Sequence, residues 1–361
     1  MKRTVTITLI ILILLTSLIG CQSTEVYDKF DYSFFESFDT IVQVVAYAEN
    51  EEEFKDYMSI LEERFFELHR LYDRFNNYEG INNIKTINDQ AGIEAVVVDK
   101  EIIDLILFAK DLYDKTGNLT NIAMGPITDI WNDYRDEAYR DPANAQIPPM
   151  DLLERAGQHT NMDKIVVNEE ESTVYLEEPQ MKLDVGAVAK GYATELVAKE
   201  IEEAGLNSAL ISAGGNIRAI GMPLDGIRDK WGVGIQNPDR TIFDDARVLE
   251  TIFVTDNSVV SSGDYQRYYI VDGEILHHLV HPETYMPTNY YRQVSIVTPD
   301  SGLADFYSTA VFLLPFEESK ELVESIDNLE VMWVFPDGTV EVTEGLKDIM
   351  LSYGASGAIG K

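Results

Sequence analysis

Four short clusters in this 361-residue chain carry residue types that could do chemistry. The first is Asp184-Val-Gly-Ala-Val-Ala-Lys190-Gly191, at an expected strand end leading into a helix. Gly186 relaxes the turn there, and backbone groups at such a junction can approach a ligand closely. It is not a Walker loop, because neither the spacing nor a terminal Lys-Ser/Thr pair fits. The second is Ser212-Ala-Gly214-Gly215-Asn216, whose paired glycines permit positive φ and close backbone approach. The third is the small polar turn Ser261-Ser262-Gly263-Asp264-Tyr265. The fourth joins His277-His278 with Asp305 and Thr309. Strand alternation sends the two imidazoles to opposite faces, so one at most faces a site. Asp305 and Thr309, four residues apart, share a helical face. Their oxygens are hard ligands suited to Mg²⁺, which favours waters and substrate phosphates as its other partners. Each cluster also has a structural reading as a turn, a packed histidine or a helix-end charge.

Elements must position these residues. Phe34 to Ala48 reads as one strand bent near Asp39, from its β-branched and aromatic content. Over 51–75 the apolar residues Phe54, Met58, Leu61, Phe65, Leu68, Tyr72 and Phe75 recur at steps of three and four, which predicts a long amphipathic helix. A second helix is expected over 99–116, with Asp99 as N-cap and Gly117 closing it. Prolines 142, 148 and 149 mark 137–161 as a loop or a junction between two lobes. Beyond it come a hairpin (164–168, 173–177), a strand over 181–185, a helix over 187–204 and a strand over 208–212. Short strands and turns follow at 231–236, 248–254, 257–261 and 267–279, then helices near 302–314 and 317–327 and a hairpin about Asp337-Gly338. Strands and helices mix without strict βαβ alternation, so the expected class is α+β with largely antiparallel sheets.

Lys and Arg total 28 against 63 Asp and Glu, a net charge of −35. So acidic a chain repels phosphate backbones, which argues against nucleic acid as a partner. The single cysteine excludes an intramolecular disulfide framework. Met1-Lys2-Arg3, an uncharged apolar run over 4–19 and Leu18-Ile19-Gly20-Cys21 read as an export signal over 1–20. Its ending resembles the bacterial lipobox, in which the cysteine is lipidated. Expected boundaries are a tether over 21–33, a folded domain over 34–347 and a tail over 348–361. The expected location is outside the cytoplasmic membrane, held by the lipid anchor.

In combination and order, these clusters resemble the ApbE family of FAD:protein FMN transferases. Phe38-Asp-Thr40, Asp73-Arg-Phe75 through Ile87-Asn88, and Gly125-Pro126…Trp131 look like successive family motifs. Asp184 to Tyr192, Ala213 to Asn216, Ser262 to Tyr265, His278 to Pro282 and Ala304-Asp-x-x-x-Thr309 continue them collinearly. Phe38 stands where the family usually has Met, and Leu119-Thr-Asn-Ile122 where many members read Phe-Asp-Pro-Thr. The resemblance implies an ApbE-like, T-fold-like architecture of two interlocked lobes. It implies that FAD is the substrate, contacted by Phe38, Phe75, Leu119, Thr120, Asp184, Lys190, Gly214, Gly215 and Leu279. The implied metal is Mg²⁺, held by Asp305, Thr309 and the Ala187 carbonyl.

The implied reaction moves FMN from FAD to a Thr or Ser hydroxyl of an exported or membrane electron-transfer protein, with release of AMP. Asp305 serves through the metal, and His278 assists deprotonation of the incoming hydroxyl. Two alternatives share the residues. With water as acceptor, the chain is an FAD pyrophosphatase; without turnover, it is a flavin-binding lipoprotein.

Overall fold

The computed structural model describes residues 27–239 and 247–360. Cys21, the leader over 1–20 and the first part of the tether lie outside the described residues.

An eight-stranded antiparallel sheet is the centre of the molecule. In chain order its strands are β1 (Asp28–Ser37), β2 (Thr40–Ala48), β6 (Ala209–Ala213), β7 (Asn216–Ile220), β10 (Ser258–Gly263), β13 (Gln293–Thr298), β14 (Glu330–Val334) and β15 (Val340–Val342), and they lie side by side in that same order. Strand β2 shows how the sequence builds two buried faces. Val42, Val44 and Ala46 point into the larger core, whereas Val45 and Tyr47 point into a second one. On the larger-core face lie α1 (Glu51–Tyr72), α6 (Ala189–Glu203) and α7 (Ser301–Leu313). The opposite face is covered by the ribbon of β8 (Trp231–Gln236) and β9 (Val248–Val254), with Leu346 and Met350 behind it.

A smaller lobe is built from α4 (Gly125–Arg140), α5 (Met150–Gly157) and the ribbon of β11 (Tyr268–Val271) and β12 (Glu274–His277). Trp131, Leu153, Tyr269 and Leu276 form its core. The intervening elements are α2 (Ile84–Asp89), α3 (Lys100–Lys115), α8 (Phe316–Glu324), and a three-stranded sheet of β3 (Val96–Val97), β5 (Thr173–Leu176) and β4 (Ile165–Asn168). The class is α+β with antiparallel sheets, as the mixed order of elements implied.

Several local expectations need correction. Phe34 to Ala48 is not one bent strand but a hairpin, because Phe38 and Asp39 both adopt positive φ (51° and 52°) and reverse the chain. Pairing begins at Asp28, opposite Ala48, so the second half of the expected tether is part of the sheet. The segment 181–185 forms no ladder. Its backbone is satisfied instead by Asn88, whose amide donates to the Leu183 carbonyl (3.0 Å) and accepts from the Leu183 N–H (2.6 Å), and by the Asp184 N–H donating to Ile122 (2.8 Å). The proline-marked stretch 137–161 holds the end of α4 and all of α5; Pro149 stands at the N-cap of α5, where its missing N–H costs nothing. Asp99 precedes α3 without a side-chain cap bond. Finally, the described part of the expected tail, 348–360, packs against the domain: Met350 is buried, and the Asp229 N–H donates to the Gly357 carbonyl (2.9 Å).

Candidate active site

Between the two lobes lies a cleft of ≈ 470 Å³, within the range that holds a cofactor-sized molecule. It is assembled from segments far apart in sequence. Helix α1 stops at Tyr72 because the Asp73 carboxylate accepts the N–H groups of Phe75 (2.6 Å) and Asn76 (3.2 Å), closing a turn. That turn sends Arg74 inward and Phe75 to the rim, with the guanidinium carbon 5.2 Å from the Phe75 ring centre.

Arg74 is buried and held through both terminal nitrogens, while its Nε makes no hydrogen bond. It pairs with Asp184 and Asp129 and donates to the Thr128 hydroxyl (2.9 Å). Asp184 in turn accepts from Thr128 (2.7 Å) and from the Gly186 N–H (3.0 Å). Burial acts to raise the Asp184 carboxyl, but Arg74, Thr128 and Gly186 outweigh it and hold it below its usual range. Most of its lone pairs are therefore occupied by the protein. Asp184 locks the turn 184–187 against α1 and α4, with little left over for a ligand.

Downstream of this turn, α6 meets α7 at Gly191. A Cβ built there would overlap the Asp305 Cβ and the Ser301 carbonyl, so only glycine lets the helices approach this closely. The Gly191 N–H donates to Asp305 Oδ2 (2.8 Å). Burial raises the Asp305 carboxyl despite the neighbouring Lys190, and burial likewise lowers the Lys190 ammonium, with Arg267 adding to that effect. The Asn216 amide approaches the same carboxylate, but its Nδ2 makes no hydrogen bond of acceptable geometry. Thr309, one turn beyond Asp305, lines the cleft with it.

Of the residues expected at the site, Phe38, Phe75, Leu119, Thr120, Asp184, Ala187, Lys190, Gly214, His278, Leu279, Asp305 and Thr309 all line this one cleft. Gly215 does not. It is exposed on the outer side of the β6–β7 turn, whereas Gly214 (φ +56°) is pressed against the Thr40 side chain. Thr120 reaches the cleft wall, but its hydroxyl is spent on the Phe306 carbonyl (3.2 Å). Residues missed in the sequence include Thr128, Asn132, Arg135, Arg267 and the locking role of Arg74. The available signal was charge. Arg74, Arg135, Lys190 and Arg267 face the cleft beside Asp39, Asp73, Asp184 and Asp305, so four cations balance four carboxylates inside a chain of net charge −35. The cleft thus lacks the acidity of the rest of the chain.

The two histidines divide as alternation requires. His277 is buried against α7 of the main lobe: its Nε2 donates to the Thr288 carbonyl (2.6 Å), its Nδ1 accepts the Leu279 N–H (3.2 Å), and its ring meets Phe312 edge-on. His278 faces the cleft, and its buried Nδ1 has no partner. Burial pushes His277 down to about 4 and His278 to about 3. Above the ordinary value of 6.5 both states of the protein leave these rings neutral, and they add nothing to stability. Below it the unfolded chain takes up protons that the folded one refuses, so stability falls as pH drops toward 4 and 3. At pH 5 each ring costs about 2 kcal/mol. Calorimetry of the ligand-free protein between pH 7 and 5 should show melting temperature falling, with His278→Gln removing about half of this histidine component. Parallel profiles for parent and variant would contradict a neutral buried imidazole at 278.

Residues 38–333 match the model of the ApbE family. The chain belongs to the ApbE family. Among curated relatives, an FAD:protein FMN transferase of Treponema pallidum is 32% identical over 277 residues, covering 73% of this chain and 74% of the relative. The enzyme of the same name in Klebsiella pneumoniae is 28% identical over 278 residues, covering 76% and 82%. Solved ApbE structures share the fold. The Thermotoga maritima protein superposes with a TM-score of 0.76 at 24% identity, over 89% of this chain and 99% of that one. The Pseudomonas stutzeri flavinyl transferase ApbE superposes with a TM-score of 0.74 at 17% identity, over 91% and 98%.

Proposed function

We propose that this chain transfers FMN from FAD to a Thr or Ser hydroxyl of an acceptor protein, with Mg²⁺ required and AMP released. The observation that carries the reading is the convergence of Asp305, Thr309, Ala187 and His278 on one cleft whose charge is balanced while the chain is acidic. The donor chemistry suits Mg²⁺. One buried carboxylate, one hydroxyl and one backbone carbonyl make an all-oxygen set too small to cage an ion alone, and the described residues contain no group of three or more His, Cys, Asp or Glu that could. Such a set leaves coordination positions for water and a diphosphate, the partners Mg²⁺ prefers. Bound there, the ion would polarise phosphoryl oxygens and ease departure of the AMP oxygen.

The chain's own residues do the remainder. The Gly191 N–H orients the Asp305 carboxylate, and the half-buried Lys190 beside it offers positive charge to the diphosphate. Asp184, held by Arg74 and Thr128, keeps the turn bearing Ala187 in place. His278 stays neutral at physiological pH and so can accept the hydroxyl proton; an anionic substrate nearby raises its weak basicity. Phe38 and Phe75 present aromatic surface to the isoalloxazine ring.

Incubation with FAD and Mg²⁺, with and without an exported flavin-accepting domain, tests the reading. Transfer leaves fluorescence on the denatured acceptor band and one AMP per flavin bound. Free FMN with AMP in both arms would mean hydrolysis, and FAD recovered intact would mean mere binding. Attachment through Cys21 and an extracytoplasmic location complete the proposal. None of the described helices is long and apolar enough to cross a membrane. With pairing beginning at Asp28, the six residues after Cys21 span at most about 20 Å, so an acyl anchor would hold this end of the sheet close to the bilayer.

A further inference from the structure

We propose that Arg267 binds the phosphoryl group being transferred, gripping its non-bridging oxygens from the small lobe while Asp305 and Thr309 approach from the main one. The assignment rests on the FMN-transfer reading above and names a residue for it. Three observations carry it.

The first is register. Tyr268 pairs with His277 across the β11–β12 ribbon, and the His278 N–H donates to the Arg267 carbonyl (3.1 Å). Arg267 and His278 are therefore cross-strand neighbours whose side chains share a face, and both line the cleft. The second is partnership. Arg74 is committed to Asp129 and Asp184, Lys190 lies beside Asp305, and Arg135 donates to Asn132 (2.8 Å). The Arg267 side chain makes no hydrogen bond or ion pair among the described residues, in a chain where acidic residues outnumber basic ones 63 to 28. The third is geometry of charge. A guanidinium fork matches two phosphoryl oxygens, and an exposed rim position lets it meet a substrate without prior desolvation.

The step balances as follows. The acceptor hydroxyl oxygen bonds to the FMN-side phosphorus, and its proton passes to His278. The bond from that phosphorus to the bridging oxygen breaks, and the oxygen leaves with AMP. Charge shifts onto the phosphoryl oxygens as this happens, and a donor beside the proton acceptor meets it where it develops. Because the two residues are adjacent across the ribbon, a phosphoryl group held by Arg267 lies beside the imidazole that takes the proton of the attacking hydroxyl.

The test compares Arg267→Ala and Arg267→Lys with the parent chain. Binding of FAD, FMN and riboflavin in Mg²⁺ buffer is followed by quenching of flavin fluorescence. Arg267→Ala should weaken FAD and FMN by about tenfold and leave riboflavin, which has no phosphate, unchanged. AMP release from FAD should fall on the order of 10²-fold in kcat, with partial recovery from added guanidinium and an intermediate rate for Arg267→Lys. Equal weakening of all three flavins would assign Arg267 to packing. Flavin binding and AMP release both at parental levels would remove it from the reaction, and a loss seen only with a protein acceptor would assign it to that partner. Any of these three overturns the proposal. A parent chain that releases no AMP overturns the FMN-transfer reading itself, which separates the two failures.

Discussion

Asp305→Asn should abolish AMP release from FAD, lowering kcat on the order of 10³-fold, while the protein folds as before. The two halves of this expectation come from one environment. The Asp305 carboxyl is 7% exposed, and burial pushes its protonation upward, so the negative charge is costly in the ligand-free protein. An asparagine carbonyl keeps an acceptor for the Gly191 N–H and relieves that cost, so the melting temperature should hold or rise. What asparagine lacks is the charge that attracts a divalent cation. Titration calorimetry with FAD should therefore show Mg²⁺ improving affinity for the parent and leaving the variant unaffected. A variant with parental AMP release would remove the metal from Asp305, and one that failed to fold would show the charge to be structural.

Gly191→Ala should damage both fold and site. The added methyl has no room between α6 and α7, because the Asp305 side chain and the Ser301 carbonyl already occupy its volume. Backbone cannot rotate away as a flexible side chain could, so the helices must separate. Overpacking of this kind costs about 3 kcal/mol, or about 4 °C in melting temperature for a chain of this size. The same displacement moves Asp305 relative to Thr309 and Ala187, and a misplacement of about 1 Å at a reacting centre costs about 10²-fold in rate. Thermal unfolding and AMP release measured on one preparation check both. Parental values in both would mean that α6 and α7 do not pack as described.

How much of the site could be read beforehand depended on the distance over which each residue acts. Asp305 and Thr309 share a helix, so their spacing alone put both oxygens on one face, and the structure keeps them there. His277 and His278 were separable by strand alternation, and they divide between core and cleft. Gly214 and Gly215 were inseparable in the sequence, because which glycine of a turn faces inward depends on what packs against it; here that is Thr40. Asp184 was expected to touch substrate, yet Arg74 and Thr128, 110 and 56 residues away, claim its oxygens. The hairpin at Phe38-Asp39 was also unreadable, since two non-glycine residues at positive φ have no sequence signal.

The amino-acid sequence by itself determined the local periods: the three-and-four spacing that makes α1 amphipathic, the alternation that buries both faces of β2, and the order of the motif clusters along an acidic chain. Those features follow from interactions within a few residues, where the geometry of helix and strand is fixed. Only the tertiary structure decided that Gly191 must be bare to admit Asp305, that Ile349 and Met350 close the second core, and that four cations gather where the chain's charge would repel a diphosphate. Each of these is a contact between residues far apart in the chain. Such contacts arise from packing two lobes around one cleft, and no short-range pattern encodes which side chain a distant helix will meet.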